Sequence, residues 1–175
     1  MTDSPRPRTV LDSVPRYRPG KPAAARGART AHKISSNENP FPPLPSVLAV
    51  LGDAEGAINR YPDMANVELR EAIGRRLGVD PDWIAPGTGS VGVLGQIIQA
   101  MCDAGDEVVF AWRSFEAYPI VASVAGARSV RVPVTAEGRH DLRAMAAAVN
   151  ERTRLIFLCS PNNPTGTVIT QVELD

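Results

Sequence analysis

Two short stretches of this chain bring together residues that could do chemistry. The first is Gly87-Thr88-Gly89-Ser90-Val91-Gly92. Small residues opening a helix leave backbone N–H groups available to an anion, phosphate above all, and Thr88 and Ser90 add hydroxyl donors. The spacing also fits G-x-G-x-x-G, a dinucleotide-binding turn. Pro86 directly before the first glycine, and the very short strand-like segment Trp83-Ile84-Ala85, weaken that match. The acidic ribose ligand belongs at the end of the next strand, about 20 residues on. Here Asp106 and Glu107 stand at that strand's start, and its end reads Phe110-Ala111-Trp112-Arg113. On this segment alone a phosphate cradle and a plain strand-to-helix turn stay equally open.

The second stretch is Ser160-Pro161-Asn162-Asn163-Pro164-Thr165-Gly166, which follows the apolar run Leu155 to Cys159. Loops beyond the carboxyl ends of parallel strands are where α/β proteins place ligands. Asn, Pro and Gly are ordinary turn formers, but the whole string at that location favours a site. Elsewhere such chemistry is sparse. Cys102 and Cys159 stand far apart and in no C-x-x-C pair, so free buried thiols are expected rather than a disulfide framework or a thiolate metal site. His32 and His140 are isolated, with no metal-ligand spacing around them.

The elements that must position these stretches alternate. Residues 1–33 read as an extended arm, because Pro5, Pro7, Pro15, Pro19 and Pro22 forbid a long helix. A stiff loop follows, Ile34 to Pro43. Ser46 is expected to cap a helix carrying Val47, Leu48, Val50 and Leu51. Asn66 or Asp63 is expected to cap a second helix, with Leu69, Ile73 and Leu77 on one face and Gly78 at its end. From residue 80 onward the pattern predicts a helix over 90–102, with Leu94, Ile97, Ile98 and Met101 on one face, and a strand from Glu107 to Trp112. A helix from Phe115 to Val124, with Pro119 in its first turn, and a strand from Ser129 to Val134 come next. Then come a short helix capped by Asp141, over Leu142, Met145 and Val149, and a buried strand from Leu155 to Cys159. Near-continuous apolar strands alternating with helices indicate an α/β fold, a mostly parallel sheet covered on both faces.

Composition sets the outer limits. The chain has 175 residues, a length that suits one ordinary domain, and its 19 basic and 19 acidic side chains balance. That balance argues against a nucleic-acid binder or a polybasic membrane anchor. No apolar run approaches the roughly 20 residues that span a bilayer, and the Pro- and Arg-rich start lacks a signal peptide's apolar core. A cytoplasmic protein is expected. Of 16 prolines, ten fall at or before Pro62, so the chain begins with a different kind of structure from the rest.

Several segments, in order, make the chain resemble the fold-type I aminotransferases that use pyridoxal 5'-phosphate. They are Asn37-Glu38-Asn39-Pro40, Arg60-Tyr61-Pro62-Asp63, Gly87-Thr88-Gly89-Ser90, Ser114-Phe115-Glu116-Ala117-Tyr118 and Ser160 to Gly166. The chain looks most like the histidinol-phosphate aminotransferase branch, which includes aromatic amino acid aminotransferases, over about residues 34–172. The resemblance implies the N-terminal part of that fold: an arm and substrate-side loop over 1–45, helices of a small domain or linker over 46–79, and a cofactor-binding α/β domain over 80–175 that stops incomplete. It implies that Thr88, Gly89 and Ser90 hold the cofactor phosphate, that Phe115 stacks on its ring, and that Asn163 donates its amide to the phenolic oxygen. Tyr61 would reach the phosphate of the neighbouring subunit in a homodimer, across which the arm would pack. Asn39 and Phe41 would border the substrate pocket. On local chemistry alone Phe115 stays open as a core aromatic, and Tyr61 as a hydrophobic staple.

Two departures from the family pattern matter. Phe41 and Phe115 stand where tyrosine is common, which favours an aromatic amino acid over histidinol phosphate as amino donor to a 2-oxo acid such as 2-oxoglutarate. The only lysines are Lys21 and Lys33, in the arm region. The family places its Schiff-base lysine well beyond the Asn-Pro-Thr-Gly loop, so neither is assigned that role. The chain is expected to be the N-terminal half of such an enzyme and inactive by itself. A catalytically dead fragment, a non-enzyme partner, or a decarboxylase or lyase of the same fold are the competing readings.

Overall fold

A computed structural model of the chain describes residues 7–14, 32 and 37–175. Lys21, Lys33 and most of the expected arm lie outside the described residues. The chain divides into two compact units, Arg16–Ile84 on the one hand and Met1–Pro15 with Ala85–Asp175 on the other. Each is described by itself.

The unit of residues 16–84 holds two helices, α1 (Pro45–Asp53) and α2 (Val67–Leu77), each followed by a 3-10 turn, Ala54–Ala57 and Pro81–Trp83. Ser46 does not cap α1. Leu44 is the N-cap residue, without a side-chain bond, and Pro45 begins the helix, since its fixed φ and missing N–H suit the first helical position. At α2 the capping carboxylate is Asp63, which accepts from the N–H groups of Ala65 (2.9 Å) and Val67 (2.7 Å). Those bonds, Val67 first, hold the Asp63 carboxyl below its ordinary range. Asn66 takes the left-handed N-cap position with its side chain uninvolved in capping. Gly78 ends the helix as expected, at φ 70°. The strand-like segment expected at Trp83 is instead a 3-10 turn. Pro81 has no N–H to give a ladder, and the Asp80 carboxylate caps the turn by accepting from Asp82 N–H at 2.9 Å.

The other unit is an α/β layer built from α3 (Gly89–Met101), β1 (Glu107–Trp112), α4 (Ala117–Ala125), β2 (Arg128–Pro133), α5 (Leu142–Ala147), β3 (Thr153–Phe157) and α6 (Gln171–Leu174). The strands run parallel in the order β2-β1-β3. The central strand explains its own sequence. Val108 and Phe110 face a core with Ile98 of α3, Tyr118 and Ala122 of α4, and Phe157. Val109 and Ala111 face the opposite way, onto Val132 of β2 and Met145 of α5. Both faces are covered, so the strand is apolar without alternation. Glu107 opens it as a buried carboxylate, accepting from Asn150 Nδ2 at 2.7 Å and from Arg152 Nε and Nη2 at 3.1 and 3.0 Å. At its far end the guanidinium carbons of Arg113 and Arg131 each lie 4.7 Å from the centre of the half-buried Trp112 ring. The peptide bonds Trp112–Arg113, Ser160–Pro161 and Asn163–Pro164 are cis.

Several boundaries and faces differ from expectation. On α3, Ile98 is fully buried and Leu94 packs against it, while Ile97 and Met101 are exposed. The helix meets its neighbours along a narrower stripe than the apolar pattern implied. Strand β3 ends at Phe157, not Cys159, and is not buried throughout: Ile156 is 46% exposed, because β3 is an edge of the described sheet. Strand β2 begins one residue early, at Arg128. Helix α4 begins at Ala117 with Pro119 buried in its first turn, which leaves Phe115 in the loop before it. Asp141 caps α5 as expected, accepting from Ala144 N–H at 2.9 Å. The described start of the arm is not extended throughout. Proline-free Thr9–Ser13 forms a 3-10 turn, and Arg8 donates to the Val124 carbonyl of α4 at 2.7 Å. No described helix is long and apolar enough to cross a membrane.

Candidate functional site

The carboxyl end of the parallel sheet gathers the two chemical stretches. Phe115 lies three residues past β1 and Asn163 six residues past β3, so both loops leave the sheet at the same end. Helix α3 precedes β1 through a short connection, and a helix so joined to a parallel strand packs antiparallel to it. Its 13 residues measure about 20 Å, as do the six of β1, so this packing sets its N-terminus level with that end. Leu94 of α3 and Phe115 pack against the same core.

The turn into α3 is formed by backbone. Thr88 is the N-cap residue and its side chain makes no capping bond. Gly89 sits at φ 70°, and a side chain there would meet no neighbour, so what glycine supplies is the left-handed conformation. Its N–H turns inward to the Gly87 carbonyl at 2.9 Å. The donors left for an anion are therefore the next N–H groups of the first turn, which have no intrahelical acceptor, with the exposed hydroxyls of Thr88 and Ser90.

The loops after β1 and β3 are locked together by a pair that the sequence did not single out. Ser114 and Asn162 are 1% and 2% exposed. Ser114 Oγ donates to Asn162 Oδ1 at 2.7 Å. Asn162 Nδ2 donates to the Arg113 carbonyl at 3.1 Å and to Thr165 Oγ1 at 2.8 Å. Its backbone closes the loop, with its N–H on the Thr167 carbonyl (2.8 Å) and its carbonyl accepting from Gly166 N–H (2.7 Å). Thr165 and Thr167 hydroxyls both donate to the Gly138 carbonyl, at 2.7 and 2.9 Å. Every polar group of Asn162 is thus used. Among the described residues no side-chain bond engages the carboxamide of half-buried Asn163, which leaves it available to a ligand. Phe115 is half-buried too, edge-on to Tyr118 with ring centres 5.6 Å apart.

His140 supports the same loop from below. Its Nε2 accepts from Cys159 N–H at 3.3 Å, while its buried Nδ1 finds no partner among the described residues. Burial pushes its pKa down, so the ring is held neutral. Burial first, then a bond with Cys159, pushes the Tyr118 phenol up. Both cysteines are free and partly buried, and no group of three potential metal ligands occurs among the described residues.

Asn39, Phe41 and Tyr61 belong to the other unit. Asn39 Oδ1 accepts from Phe41 N–H at 3.1 Å, and the rings of Phe41 and Tyr61 are 76% and 96% exposed. These exposed rings are not staples of their own helices; the hydrophobic-staple reading of Tyr61 is overturned by its near-complete exposure.

Residues 30–175 match the family model of aminotransferase class I and II. The chain belongs to that family. It is 56% identical over 172 residues to an aromatic amino acid aminotransferase of Streptomyces avermitilis, covering 98% of this chain and 48% of that one. It is 52% identical over 167 residues to the Thermobifida fusca protein of the same description, covering 95% and 46%. Among solved structures, the histidinol-phosphate aminotransferase from Sinorhizobium meliloti, in complex with pyridoxal-5'-phosphate, superposes with a TM-score of 0.76 at 33% identity, over 93% of this chain and 44% of that one. The chain thus spans about half the length of the curated relatives it matches. Its parallel sheet flanked by helices is the arrangement shared with those neighbours.

Proposed function

We propose that the whole protein transfers an amino group between an aromatic amino acid and a 2-oxo acid such as 2-oxoglutarate, with pyridoxal 5'-phosphate as cofactor. The supporting observation is geometric. An uncapped helix N-terminus, an aromatic ring and an uncommitted carboxamide stand at one end of one parallel sheet. The donor set fits a phosphorylated aromatic aldehyde. The first turn of α3, with Thr88 and Ser90, matches a phosphate dianion. Phe115 offers a stacking face for a planar ring, and Asn163 a donor for a phenolic oxygen.

When bound, the cofactor supplies an electron sink for bonds at the substrate's α-carbon. The chain's own residues bind and orient. The α3 turn anchors the phosphate, with Gly89 shaping the turn. Phe115 holds the ring plane. Asn163 would donate its N–H to the phenolic oxygen and favour the ionised form there. Asn39 and Phe41 border the substrate, and Phe41 offers an apolar wall without the hydroxyl that a phosphate-bearing substrate would use. Tyr61 reaches the phosphate bound by a second copy in a homodimer, in the cytoplasm. A proton-transferring lysine is not assigned to Lys21 or Lys33.

The aromatic preference is supported by Phe41, by Phe115 and by the description of the 52–56% identical relatives. Kinetics of the complete protein with phenylalanine, tyrosine and histidinol phosphate, each with 2-oxoglutarate, provide the test. Glutamate and an aromatic 2-oxo acid are the expected products. Release of ammonia or carbon dioxide without transfer would sink the reaction assignment, and a higher kcat/KM for histidinol phosphate would sink the substrate assignment.

A further inference from the structure

The buried Ser114–Asn162 bond joins two residues 48 apart in sequence, each directly preceding a residue assigned to the cofactor. Ser114 leads into Phe115, and Asn162 into Asn163. We propose that Asn162 and Ser114 are positioning residues that fix the distance between the ring-stacking Phe115 and the phenolate-directed amide of Asn163. This rests on the cofactor site described above.

Three observations carry it. First, the pair is almost fully buried, so its bond is not exchanged with water. A buried acceptor or donor left unpaired costs far more than an exposed one. Second, Asn162 clamps three chain segments at once: the end of β1 through Ser114 and the Arg113 carbonyl, its own loop through Thr165 and Thr167, and the turn after β2 through the Thr hydroxyls on Gly138. Third, the two adjacent asparagines divide the labour. Asn162 spends its carboxamide on protein, and Asn163 is left half-buried and uncommitted. A carboxamide that must donate to one ligand atom gains from a neighbour that removes the freedom of the loop. The titratable neighbours are Arg113, Glu116, Glu137, Arg139, His140 and Cys159 of the loops and Tyr118 of α4, and all of these are left intact by the variants below.

The test uses the complete protein loaded with pyridoxal phosphate, and reads the pH midpoint of the bound cofactor's visible absorbance band. Losing the Asn163 amide removes a donor that favours the ionised phenolic oxygen, and so raises the midpoint. Asn163→Ala is expected to raise it by about one unit or more, the size of one hydrogen bond to an anion. Asn162→Ala is expected to move it the same way, and the Asn162→Ala/Asn163→Ala double variant no further than Asn163→Ala alone. Ser114→Ala, a smaller change that leaves Asn162 in place, guards against failure of Asn162→Ala to fold and is expected to give a partial upward shift. A responsive Asn163→Ala with both Asn162→Ala and Ser114→Ala at the wild-type midpoint overturns the positioning role alone. An unmoved midpoint in Asn163→Ala overturns the cofactor-site assignment, and this proposal with it. Additive shifts in the double variant also overturn it, since the pair would then act other than through Asn163.

Discussion

Phe115 and Asn163 are one residue away from being structural. Each follows a side chain that is fully buried and bonded, and each is itself half-buried beside the sheet's carboxyl end. The resemblance points to these two residues, but not to the pair behind them. Ser114 and Asn162 are remote in sequence, and nothing in an Asn-Asn doublet tells which amide faces the protein. The ring's contribution is measurable. Phe115→Ala is expected to weaken pyridoxal phosphate binding by the complete protein several-fold, about 1 kcal/mol for a lost aromatic stack, and Phe115→Tyr to leave it near wild type. Equilibrium titration of the cofactor checks both. At the start of the same strand, Glu107 gives a pH signature. Hydrogen bonding by Asn150, then Arg152, outweighs burial and holds its carboxyl below the ordinary range. Its folded pKa lies under the unfolded one, so its stabilising effect is complete above the unfolded value of about 4.3 and fades as pH falls through the folded pKa. Glu107→Gln is therefore expected to lower the melting temperature at pH 7 and to flatten its decline between pH 5 and the acid limit, read by circular dichroism.

Elements were legible to the extent that one local signal dominated. Glu107–Trp112 is the strand its unbroken apolar run foretold, because both faces are covered. Gly78 and Asp141 terminate and cap as their chemistry requires. Structure departs from local signal where two signals compete: Pro45 displaces Ser46 at the start of α1, and the Asp80–Pro81 pair turns an apolar triplet into a 3-10 turn. The exposed faces of α3 and β3 were not legible because an apolar pattern shows which residues could be buried, not which neighbours cover them. No local signal marks the turn after β2, although its Gly138 carbonyl holds Thr165 and Thr167 of the Asn162 loop. Gly138 lies at φ 74°, and a Cβ there would stand 3.2 Å from the Thr165 side chain. Gly138→Ala is expected to cost about 1–2 kcal/mol from the left-handed backbone. The push on Thr165 would also loosen the Asn162 clamp. Asp141→Ala, which removes only the α5 cap, is expected to cost about 1 kcal/mol without touching cofactor affinity. Denaturant unfolding paired with cofactor titration separates the two effects.

At the scale of the whole molecule, the described chain presents much apolar surface. Ile156 on the edge strand β3 is 46% exposed and Leu158, just past its end, 42%, and Val50, Leu51, Ile58 and Met64 are exposed on the helical unit. Edges and patches of this kind associate unless they are covered. The 175-residue polypeptide on its own is expected to run as a heterogeneous oligomer in size-exclusion chromatography, and a monodisperse monomer with a sharp, reversible melt would contradict this. It is also expected to give no stoichiometric, borohydride-reducible adduct with pyridoxal phosphate at one lysine. Mass spectrometry after reduction is the check, and an adduct at Lys21 or Lys33 would show that one of them can take the Schiff-base role.

The two indoles are distributed one to each unit, in opposite surroundings. Trp83 is 84% exposed on its 3-10 turn, whereas Trp112 is half-buried beside two guanidinium groups at the end of β1. The molecule therefore carries its own pair of optical reporters. Emission from Trp83 should be red and easily quenched by iodide. Trp112 should emit further to the blue, repel a cationic quencher, and dim as a chromophore binds beside Phe115. A Trp83→Phe protein would reduce the signal to the α/β unit alone, so that its melting could be followed by fluorescence without interference from the helices before it.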